Sequence, residues 1–179
     1  LEAAWKMISS HRMPDGSYRL SRGRPQAAWP TSLVLLARAA SGHSAEELAP
    51  LAQRLLSLEG KVLKADPEVA DMMDIDVRLM GWPWAEDTFS WVEPTAWACL
   101  ALRKTGQGDH PRVREGLRLL LDRAFDTGGA NYGNRTVLGK STEPIPGPTA
   151  ILLMAVQGIE HPRIDAAKGY LRLHAEQTT

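Results

Sequence analysis

The chain has 179 residues, 44% hydrophobic and 23% charged, a balance that fits one globular domain and excludes disordered or fibrous classes. Lys plus Arg and Asp plus Glu each number 21, so the formal net charge is zero, which argues against a nucleic-acid binder driven by phosphate neutralisation. A single cysteine, Cys99, excludes an internal disulfide and every multi-cysteine metal cluster. The longest apolar runs, such as Leu33 to Leu36, fall far short of the ~20 residues a membrane span needs. The chain opens on Leu1 with no signal-peptide pattern, which predicts a piece of a longer protein and favours the cytoplasm over secretion.

In chain order, helices are predicted over 2–10, 30–41, 44–58, 94–105, 111–124, 148–157 and 162–175. Pro30, Pro94, Pro111, Pro148 and Pro162 each open such a stretch, at the first helical position where a missing N–H costs nothing. Pro50 lies inside the third and should kink or split it. In 111–124 the positions Val113, Leu117, Leu120 and Leu121 form an amphipathic stripe, whereas 30–41 and 148–157 are apolar nearly all round. Short inner helices therefore alternate with longer, charged outer helices. No segment sustains period-two alternation, so no sheet is expected. The connections 11–29, 59–93 and 125–147 are long, and long connections in compact domains are usually functional.

The chain repeats. Pro30-Thr31, Pro94-Thr95 and Pro148-Thr149 start equivalent apolar segments, 64 and 54 residues apart. Thirteen to sixteen residues beyond each stands His43, His110-Pro111-Arg112 or His161-Pro162-Arg163. Ahead of each lies a glycine turn bearing an aromatic: Gly16-Ser17-Tyr18, Gly81-Trp82-Pro83-Trp84, and Gly128-Gly129-Ala130-Asn131-Tyr132. A period of this length marks stacked units, none of which buries its apolar face alone.

These marks resemble the α/α-toroid repeats of the terpenoid cyclase and protein prenyltransferase superfamily. The stretch from Gly81-Trp82-Pro83-Trp84 through Trp91-Val92-Glu93-Pro94-Thr95-Ala96, with Gly128 to Asn134, is most similar to bacterial prenyltransferase/squalene-oxidase repeat proteins. The resemblance spans nearly the whole chain. It implies a single all-α domain over 1–179, a partial ring of three outer–inner hairpins with 162–175 left as an unpaired helix. Half a ring exposes an apolar edge, which predicts self-association or pairing with a missing segment of the chain.

The family's proton-donating Asp falls on Glu93, while Trp91 and Pro94 replace the acids that flank it. The alternative for Glu93 is an acid complementing the dipole of the first helical turn. Trp29, Trp82, Trp84, Trp91 and Tyr132 are candidates to line a ligand cavity, since aromatic faces stabilise cations. Packing against helix ends is the alternative, strongest for Trp82 and Tyr132. At the family's repeat-motif positions Arg12 and Ala124 stand for its Gln, and Ala130 for its aromatic.

Asp71, Asp74 and Asp76 have the chemistry to hold Mg²⁺, or else form a solvated acidic loop with Asp66 and Glu68. Arg19, Arg22 and Arg24 offer a phosphate clamp or an ordinary exposed loop. Cys99 lies mid-helix without the acid a zinc site would pair with it, and is read as core. Three functions follow: an isoprenoid-handling cyclase or prenyltransferase-like enzyme, a non-catalytic toroid scaffold or binding module, and, last, a glycan-processing barrel needing two acids across a cleft.

Overall fold

The computed structural model describes residues 2–20, 27–62, 74–137 and 139–177. Among them are seven α-helices: α1 (Glu2–Ser9), α2 (Pro30–Ala40), α3 (Ala45–Ser57), α4 (Val92–Lys104), α5 (Pro111–Arg123), α6 (Pro146–Ala155) and α7 (Pro162–Gln177). The protein is all-α. One two-stranded antiparallel hairpin, β1 (Thr136–Val137) with β2 (Lys140–Ser141), departs from the expectation of no sheet. Strands of two residues are too short to write a period-two pattern into the sequence.

Pro111 and Pro162 do open their helices, but α4 and α6 each start two residues before Pro94 and Pro148. The backbone N–H groups of a whole first turn lack intrahelical partners, so proline is tolerated anywhere in it. Glu93, which directly precedes the predicted helix 94–105, is consequently the second residue of α4. Pro50 does not split α3, which runs unbroken from Ala45 to Ser57 with the proline on its exposed side. A capping box holds the start of that helix: Glu47 N donates to Ser44 Oγ at 3.3 Å, and Ser44 N to Glu47 Oε2 at 2.8 Å.

Packing arranges the helices in two rows. In the first row α4 lies between α2 and α6, and behind them α3 packs on α2, α5 on α4 and α7 on α6. The pairing is therefore inner then outer across each short link. This corrects the expected outer–inner hairpins. Helix α7 has its partner in α6, and among the described helices α1 stands outside the three pairs and buries none of its residues.

Helix α4 is the centre of the core. Val92, Ala96, Ala98, Cys99, Ala101 and Leu102 are wholly buried, packed in one cluster with Leu35, Leu55, Val113, Leu120 and Leu152 from both rows. Burial pushes the Cys99 thiol up to about 12. That makes it a core side chain.

The three repeats share a buried clasp. Thr31 Oγ1 accepts from Tyr18 N at 3.0 Å, Thr95 Oγ1 from Trp82 N at 2.9 Å, and Thr149 Oγ1 from Ala130 N at 2.9 Å. The Thr31 and Thr95 hydroxyls also donate back to the carbonyl of the same residue, at 3.5 and 3.4 Å, whereas Thr149 Oγ1 lies 3.1 Å from Ala130 O but donates at 2.7 Å to Ile145 O. The Thr of each Pro-Thr pair thus ties the preceding glycine turn to the start of an inner helix. Ala130 occupies the position of Tyr18 and Trp82.

The His-Pro-Arg marks are helix punctuation too. His110 Nδ1 and His161 Nδ1 each accept from the backbone N of the Arg two residues on, at 3.2 Å. Arg112 then donates to Leu58 O, Met80 O and Gly81 O, at 3.0, 3.0 and 3.1 Å. Arg163 donates to Leu121 O and Asp122 O at 2.9 and 3.2 Å. Each arginine at the head of an outer helix caps the end of the outer helix before it. In the first repeat Ser44 takes over the cap and Ala45 stands where the arginine would be.

Candidate functional site

The predicted aromatics divide into three groups. Trp82 is 2% exposed, with its indole N–H donating to Leu55 O at 2.7 Å and the Arg112 guanidinium 4.5 Å above its ring. It is a core anchor with no face left for a ligand. Trp29 and Trp84 meet edge to face, centroids 5.3 Å apart at 81°, and Ala28 N donates to Trp84 O at 3.2 Å. They join the first repeat to the second. Trp29 also borders an open apolar groove with Met7, Ile8, Leu33 and Ala37.

Trp91 and Tyr132 come together at the head of α4. Trp91 is the N-cap residue, half-buried, and Val92 N donates to Tyr132 O at 2.8 Å. The Trp91 ring lies so close to Gly133 that a Cβ there would sit 2.7 Å from Cε3. Only glycine fits at 133. The Tyr132 side chain itself is 47% exposed, on the surface.

Glu93 sits half-buried in the first turn of α4, where a carboxylate complements the helix dipole. Among the described residues its carboxylate accepts no hydrogen bond, and no second acid stands beside it in the chain.

A cavity of about 470 Å³, counted to its open mouth, lies beside Trp91. Ile75, Val77, Leu79, Phe89 and Trp91 form its apolar lining, with Lys61, Ser90, Arg123 and Asn134 as the polar members. Three devices shape it. Lys61 N donates to Thr88 O at 2.9 Å, Gly81 N donates to Ser90 Oγ at 2.8 Å, and Trp91 N donates to Trp82 O at 3.2 Å. Together they fold residues 81–91 back on themselves and hold that segment against Gly60-Lys61, placing Phe89 and Trp91 on the same wall.

Arg123, at the end of α5, is 5% exposed. Its Nη1 pairs with Asp122, and both Nη groups reach Asp76 O at 3.4 Å. Burial pulls its pKa below the ordinary value, opposed by Asp122, but a guanidinium stays charged at neutral pH. Lys61 is 56% exposed and 3.7 Å from the carboxylate of Asp87. The described lining holds two cations and no carboxylate.

The proposed Mg²⁺ acids are differently engaged. The Asp76 carboxylate accepts from Arg78 Nε at 2.9 Å and Nη2 at 3.1 Å, which holds its pKa below the usual range. The Asp74 carbonyl accepts from Arg135 Nε at 3.1 Å. Asp66, Glu68 and Asp71 lie outside the described residues, as do Arg22 and Arg24 of the suggested phosphate clamp. Among the described residues no three His, Cys, Asp or Glu side chains gather to hold a metal ion. Arg19 borders the groove beside Trp29.

The sequence drew attention to Trp91 but not to Phe89, Val77, Leu79, Lys61 or Arg123. Arg123 reads there only as the last charged residue of an amphipathic helix. No spacing signals its cavity, because the walls come from five separate stretches of chain. No helix among the described residues is long and apolar enough to cross a membrane. Compared with models of protein families, with curated proteins and with solved structures, the chain has no match.

Proposed function

We propose that this chain is an α/α-toroid-type repeat module that binds an apolar small molecule and does not transform it. The observation that carries this reading is the lining of the cavity beside Trp91. Aliphatic and aromatic side chains dominate it, Glu93 is not among them, and the described lining offers no acid to deliver a proton. Protonating a carbon–carbon double bond needs an acid strengthened by its neighbours, and Glu93 is flanked by Val92 and Pro94. A row of inner helices backed by a row of outer helices, with the same threonine clasp in each repeat, supports the toroid resemblance.

The test joins binding to turnover. Calorimetric titration with long-chain apolar ligands should give saturable binding, while squalene and prenyl diphosphates should remain unconverted. Product formed by the wild-type protein and lost in Glu93→Gln would overturn the non-catalytic reading in favour of a cyclase or prenyltransferase-like enzyme.

A further inference from the structure

Arg123 stands nearly buried in the wall of an otherwise apolar cavity, held there by Asp122 and the Asp76 carbonyl. Keeping Arg123 there removes a charge from water, a cost that favourable contacts must offset. Asp122 and the Asp76 carbonyl occupy its two Nη groups, and Nε has no partner among the described residues. Lys61 places a second cation on the same lining, more exposed than the first. The aliphatic and aromatic lining remains for a chain of carbon atoms. About 80 Å³ of this space is enclosed, so part of a ligand's chain lies in the open mouth.

We propose that the cavity beside Trp91 binds a medium-chain amphiphile with an anionic head group. Arg123 and Lys61 receive the head, a carboxylate or a phosphate, and Phe89, Trp91, Val77 and Leu79 cover the chain. This inference rests on the binding reading above and adds to it the charge of the ligand. Selectivity follows from the uneven lining. Arg123 and Lys61 already pair with Asp122 and Asp87, so an anionic head adds charge-assisted hydrogen bonds that a neutral head lacks, and a cationic head meets like charge.

The full chain is titrated by calorimetry with decanoate, decyl phosphate, 1-decanol and decyltrimethylammonium, each below its aggregation limit. The two anions should bind roughly tenfold more tightly than the alcohol, because charge-assisted hydrogen bonds are the stronger kind. The trimethylammonium should bind least. Whichever anion binds more tightly identifies the head group. Lys61→Glu, at an exposed side chain, should weaken decanoate on the order of fivefold and leave decanol unchanged. Phe89→Ala, 46% exposed in the wild type, should weaken both.

Circular dichroism of both variants checks that the fold is kept. Equal affinity for decanoate and decanol in the wild type, or a Lys61→Glu variant whose preference for the anion is undiminished, overturns the anionic head while leaving apolar binding in place. Unchanged binding in Phe89→Ala places the ligand elsewhere and overturns the site. Failure of all four probes to bind overturns this inference and the binding reading together.

Discussion

Thr95 Oγ1 accepts from Trp82 N at 2.9 Å and donates back to Trp82 O at 3.4 Å, with both residues buried. One hydroxyl thereby satisfies both backbone groups of a residue thirteen positions earlier. Thr95→Val keeps the shape and removes the hydroxyl, leaving a buried N–H unpaired. The expected loss is about 1–3 kcal/mol by denaturant titration. Thr95→Ser retains the bonds and should lose less, which separates the hydrogen bond from the methyl group.

Arg112 joins three carbonyls from two segments and covers the Trp82 ring. Arg112→Ala should destabilise by about 3 kcal/mol, since buried acceptors lose their donor. Arg112→Lys should rescue little of this, because a single ammonium cannot reproduce the planar fork. Thermal melts of the two variants should nearly coincide.

Gly116 lies where α5 crosses α4. A Cβ there would come 2.7 Å from Trp82 Cζ3 and 2.8 Å from Cys99 Sγ. Gly116→Ala improves helix propensity by about 1 kcal/mol. Overpacking costs about 1–3 kcal/mol and should win, because both neighbours are fixed in the core. A lower melting temperature is the expected result, and a higher one would mean that the core gives way there.

Cys99 carries the clearest pH dependence. Burial raises its thiol from the ordinary 9.0 to about 12, so the folded protein holds that proton over a pH range where the unfolded chain releases it. The stability is fully present below pH 9 and is lost as pH rises from there towards 12. Against Cys99→Ala, the wild type should lose roughly 1.4 kcal/mol per pH unit within that window. At pH 8 a thiol reagent should modify Cys99 only after denaturant is added.

Helix positions were readable along the chain because their signals are local. Proline in a first turn, an apolar run and an amphipathic stripe lie within a dozen residues of each other, and the seven helices stand within two residues of where these marks put them. The recurrence of Pro-Thr and His-Pro-Arg was equally plain as a pattern. What those residues do was not. Thr95 finds its partner thirteen residues back, and Arg112 reaches carbonyls 31 to 54 residues away.

The pairing of helices shows the same division. The sequence separated the apolar inner segments from the charged outer ones, but their apolarity on all sides did not mean burial on all sides: α6 buries one face and leaves Met154 43% exposed, and Leu33 and Ala37 of α2 border an open groove. The sequence did not determine whether an outer helix belongs with the inner helix before it or after it, and packing of α7 on α6 decided that. The cavity lay furthest from view. Lys61, Val77, Phe89, Trp91 and Arg123 come from four stretches with no common period, and only the folding of 81–91 against Lys61 brings them together. Helices are written by neighbours in the chain, whereas a cavity is made by neighbours in space.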